Sequence, residues 1–319
     1  MNSKPKKILC MGAINMDITM HMDHLPESGE TVQTDNVHFF PGGKSGNQTV
    51  AVARHGIKPT YFGNLGNDSF SEMLIDNMKK DDINTDSIRI IPSETSGIAL
   101  IRIDKYGENS ISFYPGANSK LSSKDVKLEK TIFEHNDILL ISGELTPETT
   151  FQAFRSAKES ELIVIWDPAP VPDEIPTEIP CLVDYITPNE IEVFKLTGQP
   201  FDIKNPGKSI HKLQELGFIN PIITAGKAGA FFEDQDNNLV QILPPIVKTI
   251  DTTAAGDCFV GVFASYYAQN NKIEDCISKA CEAAAISTTI LGAQNSILDQ
   301  KAIDDLRISK DIKTKRIII

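Results

Sequence analysis

Ile8-Leu9-Cys10-Met11-Gly12-Ala13-Ile14, followed at once by Asn15-Met16-Asp17, is the stretch on which the fold turns. The run is too short to span a membrane and does not alternate, so it describes a strand covered on both faces. Comparable runs recur at residues 137–142, 162–166, 185–187 and 221–224. Helical patterns separate them at 45–55 (closed by Gly56), 69–80, 146–160, 207–216 (closed by Gly217), 256–269 and 273–291. Strands that alternate with helices predict an α/β fold: a mostly parallel sheet with helices on both faces.

Two regions break that rhythm by alternating polar and apolar residues. They are 17–22 with 31–40, and 97–103 with 109–114 around the turn Lys105-Tyr106-Gly107-Glu108. Antiparallel hairpins with one wet face explain the alternation. The expectation is a small β-sheet lid, inserted as segments 17–40 and 97–114 into one domain spanning 1–319. The end of the chain, 310–319, reads as a late strand or a frayed terminus, and its basic part, 310–316, as a solvated face.

Composition narrows the function. The 319 residues carry 31 Lys+Arg against 43 Asp+Glu, a net charge of −12, which repels polyphosphate backbones and anionic lipid surfaces. Neither nucleic acid nor a membrane is expected as a partner. Five cysteines, Cys10, Cys181, Cys258, Cys276 and Cys281, are scattered without a C-x-x-C pair, so neither a disulfide framework nor a zinc cluster is indicated and a reducing cytoplasm fits. The basic start Met1–Lys7 before an apolar run imitates a signal peptide, but Asn15 and Asp17 cut the run short with no cleavage pattern.

The chemistry-bearing residues fall into four clusters. Asp251-Thr252-Thr253-Ala254-Ala255-Gly256-Asp257 precedes an apolar helical run. Small residues there let the backbone approach a ligand, and the start of a helix aims N–H groups at developing negative charge. Asp257 is either a proton acceptor beside that anion site or a helix cap. Pro41-Gly42-Gly43-Lys44-Ser45-Gly46-Asn47 imitates the end of a phosphate-binding P-loop, but His38 stands where the first glycine belongs. Asp167 imitates the magnesium aspartate of such an enzyme, yet Pro168 follows at once. In Thr187-Pro188-Asn189-Glu190-Ile191-Glu192, an amide and a carboxylate three apart share one face of a turn and either address hydrated Mg²⁺ or open a helix. Thr224-Ala225-Gly226-Lys227-Ala228-Gly229 presents backbone to a nucleotide or is a β-turn. The six histidines are dispersed, which gives no metal site.

In order along 8–296, these clusters and Gly12-Ala13-Ile14-Asn15-Met16-Asp17 resemble the ribokinase, or PfkB, family of carbohydrate kinases. Pro115-Gly116-Ala117-Asn118, Asp167-Pro168-Ala169-Pro170 and Gly292-Ala293-Gln294 add to the likeness. The resemblance implies transfer of the γ-phosphate of MgATP to a primary sugar hydroxyl, D-ribose first. Deoxyribose, fructose, a nucleoside or a non-catalytic sugar sensor are the alternatives. It implies sugar contacts from Asn15, Asp17, Gly43, Lys44, Asn47 and Glu144, with Asp257 as base and the loop Ala254, Ala255 and Gly256 receiving charge. It implies nucleotide contacts from Asn189, Thr224, Gly226, Gly229, Gly256 and Cys281, and Glu192 in the magnesium shell. A monovalent cation, K⁺, is implied at Asp251, Thr253, Ser287, Ile290, Gly292 and Ser296. Ser45-Gly46, Asp167, Asn295 and Cys281 depart from the usual family residues. Val37, Phe39, Ile98, Leu100, Ile111 and Phe113 are apolar lid residues in need of cover, and the likeness implies that a second subunit supplies it in a homodimer.

Overall fold

Strand β1 (Ile8–Met11) is buried along its whole length, as a strand with helices on both faces must be. The computed structural model describes residues 4–310 and 315–318. The side chains of β1 alternate between two hydrophobic cores: Ile8 and Cys10 enter one, Leu9 and Met11 the other. After it come β2 (Asn15–Met22), β3 (Thr34–Gly42), α1 (Lys44–Arg54), β4 (Thr60–Gly66), α2 (Ser69–Lys80), β5 (Asn84–Ile91), β6 (Gly97–Ile103) and β7 (Asn109–Tyr114). The middle of the chain forms α3 (Ser123–Leu128), α4 (Lys130–Glu134), β8 (Ile138–Ser142), α5 (Pro147–Glu159), β9 (Ile163–Asp167), β10 (Tyr185–Ile186), α6 (Glu190–Thr197) and α7 (Pro206–Glu215). Then follow β11 (Asn220–Pro221), β12 (Ile223–Thr224), β13 (Ala230–Glu233), β14 (Leu239–Leu243), α8 (Ala255–Ala268), α9 (Ile273–Ser287), α10 (Gln300–Lys310) and β15 (Lys315–Ile318).

Seven strands make one parallel sheet in the order β11-β10-β9-β8-β1-β4-β5. The order runs away from β1 in both directions, which leaves a crevice at the carboxyl ends of β1, β8 and β9. Helices α1, α8 and α9 pack on one face of this sheet, and α3 and α5 on the other. Local chemistry starts the helices where expected. Thr146 caps α5 ahead of Pro147 at its first turn, and Asp68 caps α2 through Ser71.

The expected run at 8–14 ends as a strand at Met11, because Gly12 turns the chain out of the sheet toward the lid. The run at 221–224 divides between two sheets: β11 extends the parallel sheet and β12 starts an antiparallel one, β12-β13-β14-β15. The helix expected over 273–291 stops at Ser287. A late strand does exist, since β15 pairs with β14; residues 311–314 of the basic stretch and Ile319 lie outside the described residues.

The lid is a third sheet, β3-β2-β6-β7. Both expected hairpins are antiparallel, and a parallel pairing of β2 with β6 joins them. Its register corrects one expectation, that six apolar residues share a face. Val37, Phe39, Ile98 and Leu100 lie on the side of Ile18, while Ile111 and Phe113 lie on the side of Asp17. On the first side the Phe39 ring lies 6.0 Å from that of Phe70 in α2, yet Val37 and Phe39 each remain 45% exposed. On the second side Ile111 and Phe113 remain 58% and 55% exposed.

Candidate active site

Gly43 adopts φ +84°, and a Cβ on it would stand 2.5 Å from the Ala13 carbonyl, so glycine alone lets β3 turn into α1 against β1. That turn directs the N–H groups of Lys44 and Ser45 at the two oxygens of Glu144, each at 3.1 Å. The Ala13 N–H and the Ser142 hydroxyl donate to the same carboxylate at 3.2 and 3.0 Å. Glu144 thus staples the end of β1, the end of β8 and the start of α1 to one another. Burial pushes its carboxyl up, and the bonds from Lys44 and Ser45 pull back.

Asn15 and Asp17 share one face of β2, over this turn. The Asn15 Oδ1 accepts from Asn118 at 2.9 Å; Asn118 also brackets the Ile14 backbone at both its N–H and C=O. Asp17 lies against Gly42, where a Cβ would come within 2.2 Å of its Oδ2. Burial first, then the charges of Glu144 and Asp257, raise Asp17 from its ordinary 3.8 to about 7.

Asp257 lies in the first turn of α8, but the helix is capped by Ala254 and not by Asp257. Its carboxylate points instead to α1: Oδ2 accepts from the Asn47 amide at 2.8 Å, and Oδ1 from Gln48 at 3.4 Å. The capping reading of Asp257 is therefore set aside. Burial raises its carboxyl, opposed by Lys44 and by the Asn47 and Gln48 donors. Lys44 is held charged, its proton affinity raised first by Asp257 and further by Asp167, Glu144 and Glu192. Asn47 Oδ1 is buried without a partner, an acceptor still in need of a donor.

Ala254 sits in the left-handed region at φ +59°, which costs a residue with a Cβ about 1–3 kcal/mol. The N–H of Ala255 is already spent on the Thr252 carbonyl at 3.2 Å, which removes it from the expected anion donors. Those of Gly256 and Asp257 have no acceptor within the helix. Open space surrounds the position a Gly256 Cβ would take.

On the other flank, Asn189 and Glu192 form a capping box at the start of α6. Asn189 Oδ1 accepts from the Ile191 and Glu192 N–H groups, and Glu192 accepts from the Asn189 backbone and amide at 2.7 and 2.8 Å. Both residues thus open a helix. Thr224 ends β12 beside Asn189. Gly229, at φ +82°, is required because a Cβ would stand 1.9 Å from the Ile242 carbonyl, whereas Gly226 faces open space. Cys281 is buried in α9, its thiol pushed up to about 12 by burial and directed at the Ile242 carbonyl. At 4% exposure Cys281 presents little surface to a ligand.

Of the six residues expected around a monovalent cation, hydrogen bonds join Asp251 to Thr253 and Gly292 and, separately, Ile290 to Ser287. Asp251 accepts from the Thr253 N–H and hydroxyl at 2.9 and 2.7 Å and from the Gly292 N–H at 2.8 Å. Burial acts upward on its carboxyl, but the Gly292 and Thr253 bonds outweigh it and hold it ionised below the ordinary range. The Ser287 and Ser296 hydroxyls are taken up by the Ala284 and Ala293 carbonyls, and the Ile290 N–H by the Ser287 carbonyl. Among the described residues no cluster of three or more His, Cys, Asp or Glu is placed to hold a metal.

A family model described as pfkB family carbohydrate kinase matches residues 5–301. The chain belongs to that family. It is 33% identical to a ribokinase of Haemophilus influenzae, covering 92% of this chain and 95% of the relative. It is 32% identical to a deoxyribokinase of Salmonella typhi over 91% of this chain and 94% of that one. It is 34% identical to a bifunctional ribokinase/ribose-5-phosphate isomerase A of Fructilactobacillus sanfranciscensis, covering 97% of this chain but only 57% of that longer protein. Among solved structures, ribokinase of Thermotoga maritima aligns with a TM-score of 0.85 at 35% identity, over 95% of this chain and 99% of that one. Arabidopsis thaliana ribokinase, solved with ribose and ATP, aligns at 0.86 and 27% identity over 95% and 99%. The chain is a sugar kinase with the fold of these proteins, and the pfkB family is one of ATP-using carbohydrate kinases. Among the described residues no helix is long and apolar enough to cross a membrane.

Two buried residues of this pfkB member had no role assigned from sequence. Gln48 lies between Asp257 and Asp167, and Asn118 fixes the Asn15 amide. Gln48 follows Asn47 within the same helix, and that adjacency was its only signal.

The raised carboxyl of Asp17 has a measurable sign. Its protonated form is favoured in the folded state, so the stability it contributes is complete below about 3.8 and is lost as pH rises through about 7. The melting temperature of Asp17→Asn minus that of the native protein should grow from pH 4 to 7 and then level off. A difference constant across that range would show that the carboxyl is unperturbed.

Proposed function

We propose that this chain phosphorylates D-ribose at its primary hydroxyl with ATP. The observation that carries the reading is Asp257, buried beside Gly256 at the open start of α8, with its carboxylate held by α1 and facing Lys44. Ribokinases among its relatives support ribose as the acceptor, and a deoxyribokinase makes 2-deoxyribose the competing one.

Phosphoryl transfer needs positioning and charge stabilisation more than covalent chemistry. Asn15, Asp17, Glu144 and the Gly43–Asn47 turn hold the sugar hydroxyls, and a donor from the sugar satisfies the buried Asn47 Oδ1. Asp257 accepts the proton as the hydroxyl oxygen attacks the γ-phosphorus. The bond to the β-phosphate oxygen breaks, and ADP leaves. The N–H groups of Gly256 and Asp257, with the positive end of α8 behind them, receive the charge of the transferring group. Lys44 balances that charge from the other side. Thr224, Gly226 and Gly229 flank the nucleotide, and Asn189 borders it.

Mg²⁺ bound with ATP would neutralise phosphate charge, and Glu192 is the carboxylate of this chain that would hold its water shell. K⁺ at Asp251, Thr253, Ser287, Ile290, Gly292 and Ser296 would fix the 251–256 loop in advance without touching substrate. Turnover in potassium should exceed turnover in tetramethylammonium at equal ionic strength. Equal rates would remove the cation from the mechanism.

ADP release across pentoses, hexoses, nucleosides and sugar phosphates should be fastest with D-ribose; faster turnover of deoxyribose would reassign the substrate. In Asp257→Asn, turnover should fall by roughly 10²–10⁴ while ribose and ATP still bind. Near-native turnover would overturn the assignment of the base.

The uncovered side of the lid supports a homodimer. Ile111 and Phe113 are exposed on the same side as Asp17, where a second copy of the sheet would bury them and close the sugar from water. Light scattering should give a mass about twice 35.1 kDa. A mass of 35.1 kDa that ribose and an ATP analogue leave unchanged would exclude the dimer.

A further inference from the structure

Gln48 takes no part in the sugar, nucleotide or anion contacts described above, yet it is wholly buried one turn of α1 beyond Lys44. Its Nε2 donates to Asp167 Oδ2 at 2.7 Å and reaches Asp257 Oδ1 at 3.4 Å. Its Oε1 has no hydrogen-bond partner. A fully buried amide with one end unsatisfied is costly to keep, so the contacts made by its other end require an explanation.

We propose that Gln48 is the positioning residue for the proton acceptor: anchored by Asp167, its amide fixes the rotation of the Asp257 carboxylate and favours its ionised form. The proposal rests on the reading of Asp257 as the base. Asp257 has two neighbours on α1, and they differ in kind. Asn47 holds Oδ2 at 2.8 Å, but its side chain is also wanted by the sugar. Gln48 is instead tied at the same Nε2 to Asp167, outside the residues assigned to the sugar.

Asp167 anchors the amide. It closes β9 and is followed by Pro168, so its carboxyl is a fixed point. The ionised Asp257 carboxylate only accepts, so the donor end of Gln48 is the end that faces it, while Asp167, whose carboxyl burial pushes up, takes the same Nε2 at its Oδ2. Lys44 from α1, Glu144 beyond β8, Glu192 from α6 and Asp17 from β2 are the other charged groups around the cluster. Lys44 is the one cation among them, so the neutral donor of Gln48 adds stabilisation that no second positive charge provides.

The test compares pH profiles of kcat/KM for Gln48→Met, Asp167→Leu and Asp167→Asn, using the acceptor the native protein turns over fastest and saturating MgATP. Loss of the Gln48 donor disfavours ionised Asp257, so the acid limb should move up by about half to one pH unit in Gln48→Met. Its kcat should fall roughly tenfold while the sugar KM stays within about threefold. Asp167→Leu, which frees the amide, should move the limb the same way. Asp167→Asn still offers an acceptor to Nε2 and should stay within about 0.3 unit of the native limb. A folded Gln48→Met protein with native kcat and an unmoved limb would overturn the proposal, as would an Asp167→Asn limb displaced as far as that of Asp167→Leu. If the methionine variant does not fold, Gln48→Asn, whose shorter amide stops short of Asp257, takes its place with the same expected shift. Failure of the substrate reading is visible separately, as native protein that releases no ADP with ribose or deoxyribose.

Discussion

One ammonium group governs the site. Lys44 stands among Asp257, Asp167, Glu144 and Glu192, four carboxyls that burial alone would force to be neutral. Its single charge lowers the carboxyls it faces against the rise that burial imposes on them. Asp167 shows the limit, for burial carries it well above its ordinary value despite Lys44. The remaining stabilisation comes from donors that carry no charge. Glu144 takes three backbone N–H groups and a hydroxyl, and Asp257 takes two side-chain amides. A base that is buried and yet ionisable thus depends on where the start of α1 lies, and hence on the turn at Gly43.

That turn belongs to the topology as much as to the site. The parallel sheet opens its crevice at the ends of β1, β8 and β9. A polar group stands near each of these ends: Asn15 opens β2, the strand after β1, Glu144 follows β8 by two residues and Asp167 ends β9. The lid grows from the same point, because Gly12 lifts the chain from β1 into β2. Asn15 and Asp17 are therefore carried over the crevice by a sheet whose other side rests on α2. Burial there, with the charges of Glu144 and Asp257 close by, pushes the Asp17 carboxyl up to about 7.

Much of this was legible in the residues, and the rest was not for definable reasons. Continuous apolar runs located β1, β8 and β9 within one to three residues, and Gly56 and Gly217 marked true helix ends. Alternation located the lid strands, but alternation has a period of two and says nothing about which apolar residues of different strands share a side. Only the register separated Ile111 and Phe113 from Val37 and Phe39. β4 and β5 escaped because Thr60–Gly66 contains glycines and an asparagine, and Asn84–Ile91 is half polar. Asp257 was ambiguous between cap and base because both uses want an acid in the first helical turn. The partner of its carboxylate, 210 residues away in sequence at Asn47, removes the cap reading. Gln48 had no motif to announce it, since its role arises from two strand and helix ends that meet only in space.

The anion loop shows the same economy at a distance from any ligand. Ala254 holds a left-handed backbone that glycine would adopt without cost. A glycine there would also leave the loop free to relax in the unfolded and resting states. The conformation is held instead by its surroundings. Ile250 and Asp251 donate their N–H groups to the Thr288 carbonyl at 2.7 and 3.0 Å, and Asp251 reaches across to Gly292. The segment after α9 therefore clamps the start of α8 without approaching the reacting atoms. Strain stored at Ala254 and restrained by that clamp holds the Gly256 and Asp257 N–H groups in one direction, the preorganisation that the proposed phosphoryl transfer asks of them.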